Sequence, residues 1–384
     1  RFVGVISFSA RNARMVTIVG VVITIGCLML CSQLTPDERV SDRVPNQSEG
    51  WQAMQHCDEH VGGIRSLRVM IRWPEQTSRK QVWSAIRQCE SLIAQQPLLG
   101  PPLSIRTALT VVRGRNRQDQ SVLAARLPES LKQQFYRPDI RSTIVVTRMQ
   151  DLGFATLEPV LNELKSELGN IEAANPGFEV ELLSDVIVEG RIVSQLIDEM
   201  MQSLMMAAVI IFVLLAISFR SWKTGLISII PNVMPLAVSG ALRYFMDGSL
   251  GIAGTCSFAI CLGIAVDDTI HYLHHFRSER LKGASPVVAN QRTFVAVGSA
   301  LMLTTIVMTA GLGTVMTSQL PPHVNFAAMA CVTLIVALPA DLLFLPALLT
   351  LFPGHQTITH SVTDEVSATK LNQHEQRDAV SVES

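Results

Sequence analysis

The chain has 384 residues, of which 48% are hydrophobic and 16% are charged, and its mean hydropathy is +0.32. Soluble domains are usually about 25% charged, so this composition excludes a disordered chain and indicates a membrane protein. The 31 Lys and Arg residues nearly balance the 32 Asp and Glu residues, and the net charge of −1 predicts no nucleic-acid partner.

The charged residues are concentrated in one part of the chain. Residues 36–199 contain 41 of the 63 charged residues, whereas residues 1–35 contain 3 and residues 200–352 contain 12. This distribution predicts a water-exposed domain between membrane segments. The first residue is Arg1 rather than Met, so we expect the sequence to be part of a longer reading frame.

Six apolar stretches are long enough to cross a bilayer, which requires about 20 residues. The last two of these stretches belong to one long uncharged run, which Pro321 and Pro322 divide. The predicted spans cover residues 15–36, 200–219, 224–244, 250–276, 294–317 and 324–352. An alternative for the first stretch is a cleaved signal peptide.

Lys and Arg in the short connections predict the orientation. Arg11 and Arg14, then Arg220 and Lys223, and then Arg277 fall on one side, which the positive-inside rule makes cytoplasmic. We therefore expect a multi-pass protein of the cytoplasmic (inner) membrane. Its N-terminal segment (1–14) and a disordered tail (353–384) would both be cytoplasmic. Residues 37–199 would lie outside, in the periplasm.

The outer segment reads as a mixed domain of strands and helices. Alternating and β-branched residues predict strands over 66–73, 142–148 and 178–183, and apolar stripes predict helices over 78–95 and 157–174. This order predicts an α+β domain of repeated βαβ units. Residues 186–199 are expected to form a helix that continues into the second span. A disulfide between Cys57 and Cys89 is an open alternative if the compartment is oxidising.

The strongest local signal for chemistry is the run from Gly263 to His271 in the fourth span, which contains Asp267 and Asp268. A carboxylate in a spanning helix costs roughly 2.5–3.5 kcal/mol. Burial and a neighbouring like charge both disfavour ionisation, so one of the two is a candidate proton acceptor. The alternative is a solvated pair at the helix end, because Arg277 follows closely.

Four other residues are candidate members of a proton relay. Asp341 and Asp267 each lie 17 residues after the start of their spans, which predicts similar depths, although Asp341 could instead lie at the interface. Thr304 and Thr305 could donate hydrogen bonds to a carboxyl group or to their own helix. His271 shares a helix face with Asp267 and could pass a proton onward.

No metal site, cofactor or enzymatic centre is predicted. His271, His274 and His275 could suggest a metal, but a polar helix end at the membrane interface is the expected interpretation. His56 and His60 share a helix face, as a metal pair would need, but no third ligand occurs at clear spacing, so a solvated face is expected. The sequence has no Walker A, GxGxxG or GxSxG motif. A proton gradient is therefore the expected energy source.

Gly263-x-x-x-Asp267-Asp268, the fuller run 263–277 and the run from Asp341 through Pro346 resemble the RND superfamily of transporters, in its MMPL-like branch of lipid and hopanoid exporters. The resemblance covers about residues 1–352. It implies a secondary active transporter, with proton antiport rather than enzymatic catalysis, and a porter-like domain between the first two spans. Gly263 would be the motif glycine, and Asp267 and Asp268 the proton-relay residues.

The resemblance also implies partners. A complete transporter of this kind has two six-span halves, so we expect this chain to correspond to one half, the C-terminal one, paired with a second half or another copy of itself. Membrane lipids or other hydrophobic molecules would be the substrates, and periplasmic proteins are further candidate partners. Two other interpretations stay open: a SecD/SecF-like protein-translocation accessory, and a sterol-sensing-like lipid sensor without transport.

Overall fold

A computed structural model describes residues 11–112, 128–219, 221–246 and 248–352. Within these residues, six helices are long and apolar enough to cross a membrane, so the protein is a polytopic helical membrane protein. A domain built on a β-sheet is inserted after the first of them. The predicted tail, residues 353–384, lies outside the described residues.

The inserted domain begins after helix α1 (Ala13–Cys31) and the short strand β1 (Thr35–Pro36). Its later elements follow in chain order: α2 (Glu49–His60), β2 (Arg65–Arg72), α3 (Arg79–Gln95), α4 (Ile105–Val112), α5 (Glu129–Phe135), β3 (Tyr136–Arg137), β4 (Ser142–Met149), α6 (Phe154–Ala174) and β5 (Glu179–Ser184).

The four-stranded sheet has the order β3-β4-β2-β5, and neighbouring strands are antiparallel. The predicted βαβ units are present only in split form: α6 joins β4 to β5 as expected, whereas α3 leads to β3, because the predicted partner β4 is the antiparallel neighbour of β2. The two strands that a helix joins run in the same direction, with a third strand between them. This is the arrangement of a split βαβ fold. Sequence reasoning missed β3, which has only two residues.

The core of this domain lies between one face of the sheet and two helices. Leu67, Val69 and Ile71 alternate along β2 and are fully buried. They pack with the apolar stripe of α3 and with Leu157, Leu161, Leu164 and Leu168 of α6. Ser78 and Gln81 begin α3 with a capping box, which satisfies the free amides of its first turn.

The remaining helices form a bundle. They are α7 (Asp185–Ser218), α8 (Trp222–Met246), α9 (Ile252–Leu281), α10 (Pro286–Val315), α11 (Pro321–Pro339) and α12 (Leu345–Leu351). A π-helical turn, Ala340–Phe344, joins the last two. As expected, the helix over 186–199 continues without a break into the second span.

Several helices end or begin at other residues than the predicted spans, and at two of these boundaries the cause is clear. The first helix ends at Cys31, because residues 35–36 instead pair as a strand with residues 249–250. The fifth helix begins at Pro286 rather than near residue 294, because the Ser285 side chain caps it and a proline is well tolerated in the first helical turn. The structure also leaves Cys57 and Cys89 as free thiols, which contradicts the alternative of a disulfide.

The bundle has a packed centre and an apolar outer surface. In the most apolar 18-residue stretch of each helix, 56% of the residues of α8, 50% of α9 and 61% of the last span are buried. In the corresponding stretches of α1 and α7 the buried share is 11% each. Met15, Ile18, Val22 and Met29 of α1 are exposed along its length. In a membrane protein such a surface is suited to contact with lipid tails.

The sheet domain lies at one end of the bundle. Strand pairing of Thr35 with Ser249 places the loop between α8 and α9 beside the sheet domain. At the other end, Arg277 Nη1 donates a 2.9 Å hydrogen bond to the Ser218 carbonyl at the end of α7. The sheet domain therefore lies at the end of the bundle opposite Arg277.

Candidate functional site

The candidate site is built around α9, the helix that contains both adjacent aspartates. Gly251 precedes its first residue, and Asp267 lies about midway along the 30-residue helix. Successive residues of a helix point about 100° apart, so the two aspartates point in different directions. The Asp267 side chain is 71% exposed, Asp268 is half-buried and Thr269 is fully buried.

The exposed face of α9 carries three of the predicted site residues. Gly263, Asp267 and His271 follow at intervals of four residues and are all exposed. Nε2 of His271 lies 3.7 Å from Oδ1 of Asp267. A Cβ atom added at Gly263 would meet nothing within 4 Å. This face is open for close approach by another helix.

The inner face of α9 contacts a second carboxyl group. Asp341, in the π-helical turn, is 2% exposed, and its Oδ1 lies 2.7 Å from Oγ1 of Thr269. Oγ1 of Thr269 also lies 3.1 Å from Oδ1 of Asn232 on α8. The amide nitrogen of Asn232 donates a 2.7 Å hydrogen bond to the Ser228 carbonyl, which fixes the orientation of the amide. Three helical segments therefore meet at one buried polar chain.

The local sequence explains the geometry of this turn. Pro339 lies at the end of α11, and a proline in a helix lacks the amide hydrogen needed for the regular bond pattern. The next five residues form the π-helical turn, and Ala340, Asp341, Leu342 and Phe344 within it are buried. Turns of this type are frequent at functional sites.

A second set of buried polar residues connects α9 to neighbouring helices near the Arg277 end of the bundle. Tyr272 is fully buried, and its hydroxyl donates to Oδ1 of Asn290 on α10 at 3.3 Å. The Asn290 amide nitrogen donates to the Pro346 carbonyl and to Oγ1 of Thr350, each at 3.0 Å. This network fixes α10 against α9 and α12.

The other candidate residues named from the sequence do not form hydrogen bonds to Asp267 or Asp268 in the structure. The hydroxyls of Thr304 and Thr305 both donate to the Leu301 carbonyl of their own helix, at 3.0 and 2.9 Å. His56 and His60 stack with ring centroids 4.3 Å apart. In the part of the chain that the structure describes, no three His, Cys, Asp or Glu side chains are grouped for metal binding.

Sequence reasoning missed Thr269 and Asn232. Both carry a sequence signal in retrospect: Thr269 directly follows the acidic pair, and Asn232 is an amide within an apolar helix, next to Pro231. A polar residue in a spanning helix usually faces the bundle interior and pairs there. The sequence alone does not show which helices meet at that point.

Comparison with known proteins identifies similar chains. The model of the MMPL family matches residues 105–368. The chain is also 24% identical over 237 residues to a protein from Methanocaldococcus jannaschii named "Putative membrane protein MJ1562". That match covers 60% of this chain and 59% of the relative. The chain therefore matches less than two thirds of the length of this relative.

Proposed function

The chain belongs to the MMPL family of membrane transporters, and we propose that it is one half of a proton-driven exporter of lipids or other hydrophobic molecules. One observation supports this most directly. Asp267 is an exposed acidic side chain in the middle of an apolar bundle helix, with His271 as a neighbour. A carboxylate at membrane depth is costly, and such groups mark proton or ion pathways.

The partner of Asp267 would come from a second six-helix half. Asp267 lies on the same open face as Gly263, where a neighbouring helix can approach closely. The second half would be another part of a longer protein or a second copy of this chain. Its helix would cover the acidic side chain and exclude water from it, so that protonation of Asp267 changes how the two halves pack.

Sheet and bundle are joined in a way that suits coupling between them. Helix α7 runs from the sheet domain at Asp185 to Ser218 at the far end of the bundle. We propose that the sheet domain faces the periplasm and the Arg277 end faces the cytoplasm, so that both termini are cytoplasmic. Movement of α7 would then transmit proton binding to the outer domain, where hydrophobic substrate, with or without periplasmic partner proteins, would be handled.

The test is proton flux in proteoliposomes that hold the full-length protein and an internal pH dye. With an imposed proton gradient, we expect flux in the wild type and none in the Asp267→Asn/Asp268→Asn variant. Glu163→Gln is the control, because Glu163 is an exposed carboxylate on α6 of the sheet domain. Equal flux in the wild type and the double variant would contradict the proposal and favour a translocation accessory or a lipid sensor.

A further inference from the structure

Asp341 is a buried carboxyl group without a cationic partner among the described residues. It is 2% exposed, and its neighbours are the hydroxyl of Thr269 and, at longer range, Asp268. An unpaired carboxylate is strongly disfavoured in an apolar interior, where a carboxyl group stays neutral instead. The surroundings of Asp341 are therefore suited to the protonated acid.

The hydrogen bonds that link Asp341, Thr269 and Asn232 also require a protonated Asp341, as a count of their donors shows. The Asn232 amide nitrogen is committed to the Ser228 carbonyl, so the atom that faces Thr269 is an acceptor, Oδ1. A threonine hydroxyl has one proton to donate. If Asp341 were ionised, Thr269 would lie between two acceptors and could satisfy one. If Asp341 is protonated, its O–H donates to Thr269, and Thr269 donates to Asn232.

We propose that Asp341 is a second proton-binding residue of this half, neutral in the described arrangement, and that Thr269 and Asn232 are the positioning residues that link its proton to α8. This inference rests on the proposed proton-driven function. It adds a site enclosed within the half itself, in contrast to Asp267, which faces outward.

Loss of the proton would change the bonding of all three residues. The Thr269 hydroxyl would turn to the carboxylate, and Oδ1 of Asn232 would lose its donor. A negative charge would also appear in the packed centre, at a π-helical turn that already departs from regular helix. Both effects favour a different packing of α8 and α9 against the last span.

The titratable groups around Asp341 are few. Asp268 and Tyr272 of α9 interact electrostatically with it. The described Lys, Arg and His residues of the other helices packed against the turn lie in a first or last helical turn: Arg14 of α1, Lys223 and Arg243 of α8, and His323 of α11. Asp268 interacts with Asp341 and adjoins Asp267 in the sequence, so it is the candidate intermediate between the two carboxyl groups in this proposal.

Infrared spectroscopy of the reconstituted protein tests the protonation state directly. We expect a carbonyl band of a carboxylic acid at neutral pH that is lost in Asp341→Asn. The asparagine amide can still donate to Thr269, so this variant should fold. Thr269→Val, which removes the hydroxyl, should move the band, and Thr269→Ser, which retains it, should not. Identical spectra for the wild type and Asp341→Asn, or no movement in Thr269→Val, would overturn the inference.

Proton flux in the same proteoliposomes separates this inference from the proposed function. We expect loss of flux in Asp341→Asn and a shifted pH profile in Thr269→Val, with Thr269→Ser close to the wild type. Wild-type flux that persists unchanged in both Asp341→Asn and Thr269→Val would refute a proton-transfer role for Asp341. Absence of flux in the wild type would count against the proposed function instead, and the infrared band would still decide whether Asp341 holds a proton.

Discussion

Nη2 of Arg65, on β2, lies 2.6 Å from Oε2 of Glu189, on α7. This ion pair joins the sheet to the helix that continues into the membrane. Arg43 contacts the other oxygen of the same carboxylate, at 2.9 Å from Oε1. Arg43 also pairs with Glu38, just after the first span. The junction of the sheet domain with α1 and α7 is therefore held by a small network of charges around Glu189.

Removal of the charge at this junction should loosen it. We expect Glu189→Gln to lower the unfolding free energy by about 1 kcal/mol, a modest value because Glu189 is 37% exposed and solvent screens the pair. Thermal unfolding in detergent measures this as a fall in Tm. Glu179→Gln is the control, since its partner Arg72 lies 3.5 Å away and both side chains are more exposed. An equal fall in both variants would contradict a special role for Glu189.

The packing of the first helix depends on a close approach at one glycine. A Cβ atom added at Gly20 would lie 2.5 Å from a ring carbon of Phe344, in the π-helical turn. We expect Gly20→Ala to lower Tm, because overpacking usually costs about 1–3 kcal/mol. Gly26→Ala in the same helix is the matched control, since its Cβ would meet nothing within 4 Å, and alanine should stabilise the helix slightly there. A lower Tm for Gly26→Ala than for Gly20→Ala would show that the contact with Phe344 is unimportant.

The hydrophobic pattern of the sequence predicted most of the helices and strands. The errors arose where the structure depends on contacts between distant parts of the chain. Strands β2 and β4 agree with the sequence prediction to within one residue, because one buried face imposes a clear alternation. The predicted end of the first span was wrong, because residues 35–36 pair with residues more than 200 positions away. The contact between Thr269 and Asp341 spans 72 residues and depends on how α9 packs against the last span, which hydropathy does not encode.

The thiol of Cys89 should be unreactive in the folded protein. It is fully buried in the core of the sheet domain, and this burial raises the pKa of the thiol to about 12, so little of the reactive thiolate is present at neutral pH. We expect maleimide to label the partly exposed Cys57 in the native state and Cys89 after unfolding, without any need for a reductant. Peptide mapping by mass spectrometry measures both sites. If labelling of either cysteine required a reductant, the free-thiol arrangement would be incorrect.

The open face of α9 should be sensitive to size at Gly263 if a second half packs there. We expect Gly263→Phe to weaken pairing of the halves about tenfold or more, since overpacking a helix contact costs about 1–3 kcal/mol. Gly311→Phe on α10 is the matched control, because that glycine is also exposed and an added Cβ would likewise meet nothing within 4 Å. Crosslinking and proton flux of the full-length protein measure the effect. If both substitutions left pairing and flux equal, the face that contains Gly263 and Asp267 would contact lipid rather than another helix.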